Sequence, residues 1–170
     1  LMVTAYGEVK ILDFGGARAD FGEREAETRN FTIGSLAYMA PERLDFRDCP
    51  ASDVYSLGAI LYELVVGERF GRTSMALERH KDKLGPALEA FAAALPRRDP
   101  APVYLLTAML AHDADKRPSA REVERGCLEL ARHFGGVRLR SWAAGAVPPL
   151  LLTGGKDQTD ELTGSLLREQ

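Results

Sequence analysis

Cysteine is scarce. The 170 residues hold two, Cys49 and Cys127, far apart and without paired spacing. That excludes a disulfide framework and a zinc-ligand pattern, and makes a reducing, cytoplasmic setting the expectation. Long apolar runs are also missing. The longest mostly apolar stretch, Trp142 to Leu152, has eleven residues and two prolines, too short to cross a bilayer, so no membrane segment is expected. A basic excess is absent too: 22 Lys and Arg stand against 25 Asp and Glu, a net charge of −3. This argues against nucleic-acid binding, because neutralising phosphates needs a basic face. No signal peptide opens the chain. It begins on Leu1, not Met, and reads as cut from something longer.

What is present fits one globular domain. Hydrophobic residues make up 45% and charged residues 28%, enough to bury a core and too apolar for wholesale disorder. Two short apolar runs, Leu1 to Thr4 and Glu8 to Leu12, flank Ala5-Tyr6-Gly7, where Gly7 supplies the positive φ of a tight turn; this predicts a small β-hairpin. Residues 13–30 are charged and glycine-punctuated without a sustained period, which predicts a long loop. Ser52 or Asp53 can cap a helix whose apolar residues, from Val54 to Val65, cover nearly every side. Gly58 inside it predicts close packing against another backbone, and Gly67 ends it. Two amphipathic segments follow, Arg72 to Lys83 and Leu84 to Leu95, then a Pro-rich break from Pro96 to Pro102. Val103 to Leu110 form another helical stripe. Ser119-Ala120-Arg121-Glu122 is a capping box that starts a helix running to about His133. Beyond that the composition drifts to Gly, Pro and Thr, and residues 135–170 are expected to be a poorly ordered tail or linker.

Chemistry concentrates near the start. In Val9-Lys10-Ile11-Leu12-Asp13-Phe14-Gly15 an aspartate emerges from a strand end, where its carboxylate can hold a hard cation. Magnesium takes one or two carboxylates together with phosphate oxygens and water. Alone the triplet is a weak signal, but it has company. Glu42 closes Gly34-Ser35-Leu36-Ala37-Tyr38-Met39-Ala40-Pro41-Glu42 twenty-nine residues after Asp13, and Asp53 opens Asp53-Val54-Tyr55-Ser56-Leu57-Gly58 eleven residues later. Asp113-Ala114-Asp115-Lys116-Arg117-Pro118-Ser119 comes last. Singly, Glu42 and Arg117 are compatible with solvated charges and Asp53 with a helix cap; order and spacing together are specific. His80, His112 and His133 have no metal-ligand spacing and read as surface or helix-end residues.

These four elements, in this order, resemble the second half of a protein kinase catalytic domain of the serine/threonine type, in a bacterial style of composition. The resemblance implies a fold that is mainly α with a small N-terminal β-hairpin: the C-lobe of the α+β kinase fold, with the N-lobe absent. It assigns residues 1–134 to the kinase part, with an activation segment at 13–42 and a helical lobe at 43–134. It implies that Asp13 binds the Mg2+ that bridges to ATP, that packing of Phe14 sets the active or inactive state, and that Gly15 permits a backbone flip. Thr28 and Thr32 become candidate phosphorylation sites. Ser35 helps position the catalytic aspartate. Gly34, Tyr38 and Pro41 belong to the substrate loop. Glu42 and Arg117 form a buried ion pair, and Asp53 braces the catalytic loop from below.

The departures define the expected activity. No Gly-x-Gly-x-x-Gly loop, Val-Ala-Ile-Lys strand or His-Arg-Asp catalytic loop occurs, and no catalytic residue is present, because the catalytic-loop Asp lies upstream of Leu1 in the family's order. Ala114 stands where the family often has proline, and Gly67-Glu68-Arg69-Phe70 lacks a common proline. The expectation is therefore part of an ATP- and Mg2+-dependent kinase acting on protein Ser or Thr. Its partners would be the protein substrate and the missing upstream half, and the chain alone would be inactive. The alternatives are a non-catalytic kinase-like module that binds a protein partner, and a truncated product without folded function.

Overall fold

The computed structural model describes residues 2–11 and 35–146, and the chain separates into two compact units. The expectations placed on Asp13, Phe14, Gly15, Thr28, Thr32 and Gly34 lie outside the described residues. The fold is mainly helical with one small antiparallel sheet, as the sequence implied.

The first unit holds the hairpin and the residues from 135 onward. Strands β1 (Met2–Val3) and β2 (Val9–Lys10) pair antiparallel, with Met2 opposite Lys10 and Val3 opposite Val9. The Thr4 and Glu8 backbones close the turn (2.9 Å), and Gly7 donates back to the Thr4 carbonyl (2.9 Å). Gly7 has φ 72°, and a Cβ there would lie 2.3 Å from Arg140 Cα. Both the turn and the close approach of a second segment therefore require glycine. That segment is helical over 139–146, where the sequence shows no clear periodicity.

The second unit, residues 27–134, carries four helices among its described residues: α1 (Pro50–Val66), α2 (Leu77–Ala94), α3 (Pro100–Met109) and α4 (Ala120–Phe134). Its core joins Ala40, Tyr55, Ala59, Tyr62, Phe70, Phe91, Leu106 and Leu110. Gly58 sits where α1 meets α3: a Cβ there would come within 3.0 Å of Met109 Cβ and 3.1 Å of Leu110 Cδ2. No helix among the described residues is long and apolar enough to cross a membrane.

Local signals set most helix ends. Gly67, at φ 83°, ends α1 with its N–H on the Glu63 carbonyl (2.8 Å). Ser119 and Glu122 form the reciprocal cap of α4, with the Ser119 N–H on Glu122 Oε2 at 2.8 Å and the Glu122 N–H on Ser119 Oγ at 3.3 Å.

Four details correct the sequence reading. First, α1 begins at Pro50: Cys49 is the N-cap, and the Ser52 side chain reaches back to its N–H (3.3 Å). Second, α1 is not covered on every side, since Leu57 and Leu64 are exposed. Third, α2 is one helix running through Pro86, not two segments. A proline inside a helix costs about 3 kcal/mol, but the face carrying His80, Leu84, Ala87, Leu88 and Phe91 packs into the unit on both sides of it. Fourth, α3 starts within the Pro-rich break, because Pro100 suits a first helical position and the Asp99 side chain accepts from the Ala101 N–H (2.8 Å).

Candidate functional site

The candidate site is the loop before α1 and the groups that fasten it. The loop runs through two short 3-10 turns, Ser35–Tyr38 and Pro41–Asp45. Pro41 is buried and opens the second turn, where its fixed φ suits the geometry. Buried Met39 and Ala40 hold the link between the turns. Beyond Asp45, Phe46 adopts a left-handed φ of 57°, which reverses the chain toward Cys49 and α1.

Each turn is tied to a helix. The Tyr38 hydroxyl donates to Glu63 Oε2 near the end of α1, and Arg69 approaches the other oxygen of that carboxylate at 3.9 Å. The hydrogen bond to Glu63, with burial behind it, pushes the Tyr38 phenol above its usual range. Glu42, in the second turn, is held far more strongly. Arg117 Nη1 donates to Glu42 Oε1 at 2.6 Å and Nη2 donates to Oε2 at 2.8 Å, while the Ser52 hydroxyl donates to Oε1 at 2.6 Å. Two parallel N–H bonds to one carboxylate form the strong, orientation-specific version of an ion pair.

The pair is shielded from water. The Arg117 side chain is fully buried, and that of Glu42 is 16% exposed. The remaining guanidinium hydrogens reach the carbonyls of Ala111 (2.8 Å), Ala51 (3.0 Å) and His112 (3.1 Å). The cation also lies 4.9 Å from the centre of the Tyr55 ring. Burial by itself raises the Glu42 pKa, but the hydrogen bonds from Arg117 and Ser52 outweigh it and hold the carboxyl below its ordinary value. Charge, hydrogen bonds and packing all fix one orientation, so the loop has little freedom at this point. Burial pushes the Tyr55 phenol up to about 12.

The structure brings Glu42 and Arg117 together and places Tyr38 and Pro41 in the same loop. Ser35 lies in the first 3-10 turn. Asp53 meets the loop through another residue and away from the buried pair: its side chain is 77% exposed in the first turn of α1, and Arg43 Nη2, from the second 3-10 turn, donates to its Oδ1 at 2.7 Å. Arg43 also donates through Nε to Asp48 (2.8 Å). The sequence reading had no role for Arg43 or Glu63, and took Ser52 for a helix cap. Their spacing carries no local signal, since each acts on a partner five to twenty-five residues away. His80 corrects the reading of the histidines as surface or helix-end groups, because it is 1% exposed. Its partners, Thr73 and the Leu110 carbonyl, come from outside α2.

The protein kinase domain family matches residues 1–126. A probable serine/threonine-protein kinase PknB of Corynebacterium glutamicum is 31% identical over 140 residues, which is 78% of this chain and 22% of that protein. Serine/threonine-protein kinase A of Synechocystis is 46% identical over 66 residues, 38% of this chain and 12% of that protein. Serine/threonine-protein kinase PknA of Mycobacterium tuberculosis is 44% identical over 70 residues, 41% of this chain and 16% of that protein. The matched stretch spans about a fifth or less of the length of these relatives.

Proposed function

The chain belongs to the protein kinase domain family, and on that premise we propose that it forms the substrate-holding helical part of a serine/threonine protein kinase. The whole enzyme would pass the γ-phosphoryl group of ATP to a Ser or Thr hydroxyl of a protein, in the cytoplasm. The observation that carries this reading is the bidentate grip of Arg117 on Glu42. Phosphoryl transfer depends on positioning and electrostatics more than on covalent chemistry. A loop that presents a substrate hydroxyl must therefore hold still, and this one is tied at Tyr38 and again at Glu42.

Asp13 is the residue of this chain proposed to hold Mg2+. Among the described residues no group of three His, Cys, Asp or Glu is placed to hold a metal ion. A lone carboxylate still suits magnesium, whose other ligands are phosphate oxygens and water. When bound, the ion offsets charge on the phosphates. Phe14 and Gly15 would set the conformation beside it, Thr28 and Thr32 would take activating phosphate, and Ser35 would help position the catalytic aspartate. Gly34, Tyr38 and Pro41 would shape the substrate loop. Asp53, held by Arg43 on one oxygen and otherwise exposed, leaves its carboxylate open to backbone donors of a catalytic loop.

The groups that pair with phosphate and accept the hydroxyl proton do not occur in these 170 residues, so an upstream half is required. The exposed Leu57 and Leu64 of α1 support that need, since they offer an apolar stripe for a further segment to cover. The test joins this chain to the ATP-binding half and catalytic loop of the Corynebacterium relative and supplies γ-labelled ATP, Mg2+ and matched Ser, Thr and Tyr peptides. Label on Ser or Thr is the expected result. Label on Tyr alone, or none from a folded hybrid that binds ATP, would overturn the proposal.

A further inference from the structure

Glu42 and Arg43 are neighbours in one 3-10 turn, and they fasten that turn to two neighbours in the first turn of α1. Glu42 Oε1 accepts from the Ser52 hydroxyl at 2.6 Å, and Arg43 Nη2 donates to Asp53 Oδ1 at 2.7 Å. The first cross-link belongs to the buried anchor. The second ends on a carboxylate that is 77% exposed. An exposed ion pair contributes little to stability, so the consequence of this one lies in the orientation it gives Asp53.

Arg43 is set in place before it meets Asp53. Its backbone N–H donates to the Ala40 carbonyl (3.1 Å), and its own carbonyl accepts from the Phe46 N–H (3.2 Å). The left-handed φ of 57° at Phe46 turns the chain back, and Asp48 then accepts from Arg43 Nε at 2.8 Å. The Arg43 and Asp48 side chains are 26% and 25% exposed. A guanidinium is a planar fork whose hydrogens point in fixed directions. With Nε committed to Asp48, Nη2 has little choice of direction, and Asp53 finds a donor already ordered. Less side-chain entropy is lost in making the contact, because one partner is held beforehand. The Asp53 carboxylate is thus held on one oxygen and is otherwise open to solvent.

We propose that Arg43 is a positioning residue: braced by Asp48, it orients Asp53 and so ties the anchored substrate loop to the catalytic loop that Asp53 receives. This rests on the kinase reading above, which gives Asp53 that partner. Glu42 stills the turn through Ser52 and Arg117, and Arg43, one residue on, passes the same fixed frame to the start of α1. The part that presents the substrate hydroxyl and the part that takes its proton then share one reference. Transfer depends on that alignment, and a displacement of about 1 Å can cost about a hundredfold in rate.

The test has two arms. In the 170-residue chain, NMR couplings across the Asp53 Cα–Cβ bond report its rotamer. One staggered rotamer is expected in the native chain, and averaging over several in Arg43→Gln and in Asp48→Asn. In the hybrid with the upstream half of the Corynebacterium relative, Arg43→Gln should lower kcat about tenfold at unchanged KM for ATP. The double variant Arg43→Gln with Asp53→Asn should be no slower than Asp53→Asn alone, because the arginine acts through the aspartate. A merely structural weakening would instead make the two losses multiply. Averaged Asp53 couplings in the native chain, undiminished kcat in Arg43→Gln, or losses that multiply in the double variant would overturn this proposal alone. A native hybrid that binds ATP and labels no peptide would overturn the kinase reading, and this proposal with it.

Discussion

Replacing Arg117 with Met removes the guanidinium while keeping most of the side-chain volume. It deletes five hydrogen bonds: two to Glu42 and one each to Ala51, Ala111 and His112. Glu42 would then remain a mostly buried carboxylate with Ser52 as its side-chain donor. Breaking a buried pair from one side costs about 3–5 kcal/mol, because the partner's charge stays uncompensated. A typical domain has about 5–15 kcal/mol in all, so the loss takes a large share. With a urea dependence of about 1–3 kcal/mol per molar, the midpoint should drop by about 2 M. The assay is urea unfolding followed by circular dichroism, with Glu42→Met and the double variant completing a cycle. The double variant should recover about 1–3 kcal/mol of the summed single losses. If Arg117→Met shifts stability by less than about 1 kcal/mol, the pair behaves as an exposed surface bridge and the reasoning fails.

Two further outcomes follow from the same geometry. Because hydrogen bonds hold the folded Glu42 pKa below its ordinary value, its contribution is present above about pH 4.3 and is lost as pH falls through the folded value. Urea midpoints of the native chain and Glu42→Gln should therefore converge in acid, and a gap that stays constant down to about pH 3 would contradict this. Gly58→Ala should destabilise the helical unit by about 1 kcal/mol net, overpacking against Met109 and Leu110 outweighing the gain in helix propensity; a higher melting temperature would show that α1 and α3 have room to separate.

How much of this was legible depended on how far each signal reached along the chain. Gly7, Gly67 and the Ser119–Glu122 box announce a turn, a helix end and a helix start through local backbone chemistry, and the structure uses each that way. The pattern over 72–95 reads as two segments, Arg72 to Lys83 and Leu84 to Leu95, but packing of one face on both sides of Pro86 makes a single helix of Leu77–Ala94. In α1 the apolar pattern gives no direction, so the exposure of Leu57 and Leu64 could not be read from it. The Glu42–Arg117 pair spans seventy-five residues and came into view only through resemblance to a family. Ser52, Arg43, Glu63 and His80 had no such guide. Their roles depend on which distant group the fold places against them, and that information is spread through the whole packing.

The central claim is that this chain holds a substrate loop while the reacting groups lie elsewhere. Its most direct test is label transfer from γ-labelled ATP to a Ser/Thr protein by the purified 170-residue chain with Mg2+. The expected result is no transfer above the enzyme-free rate. Magnesium-dependent turnover by the chain alone, lost on Asp13→Asn, would contradict the account.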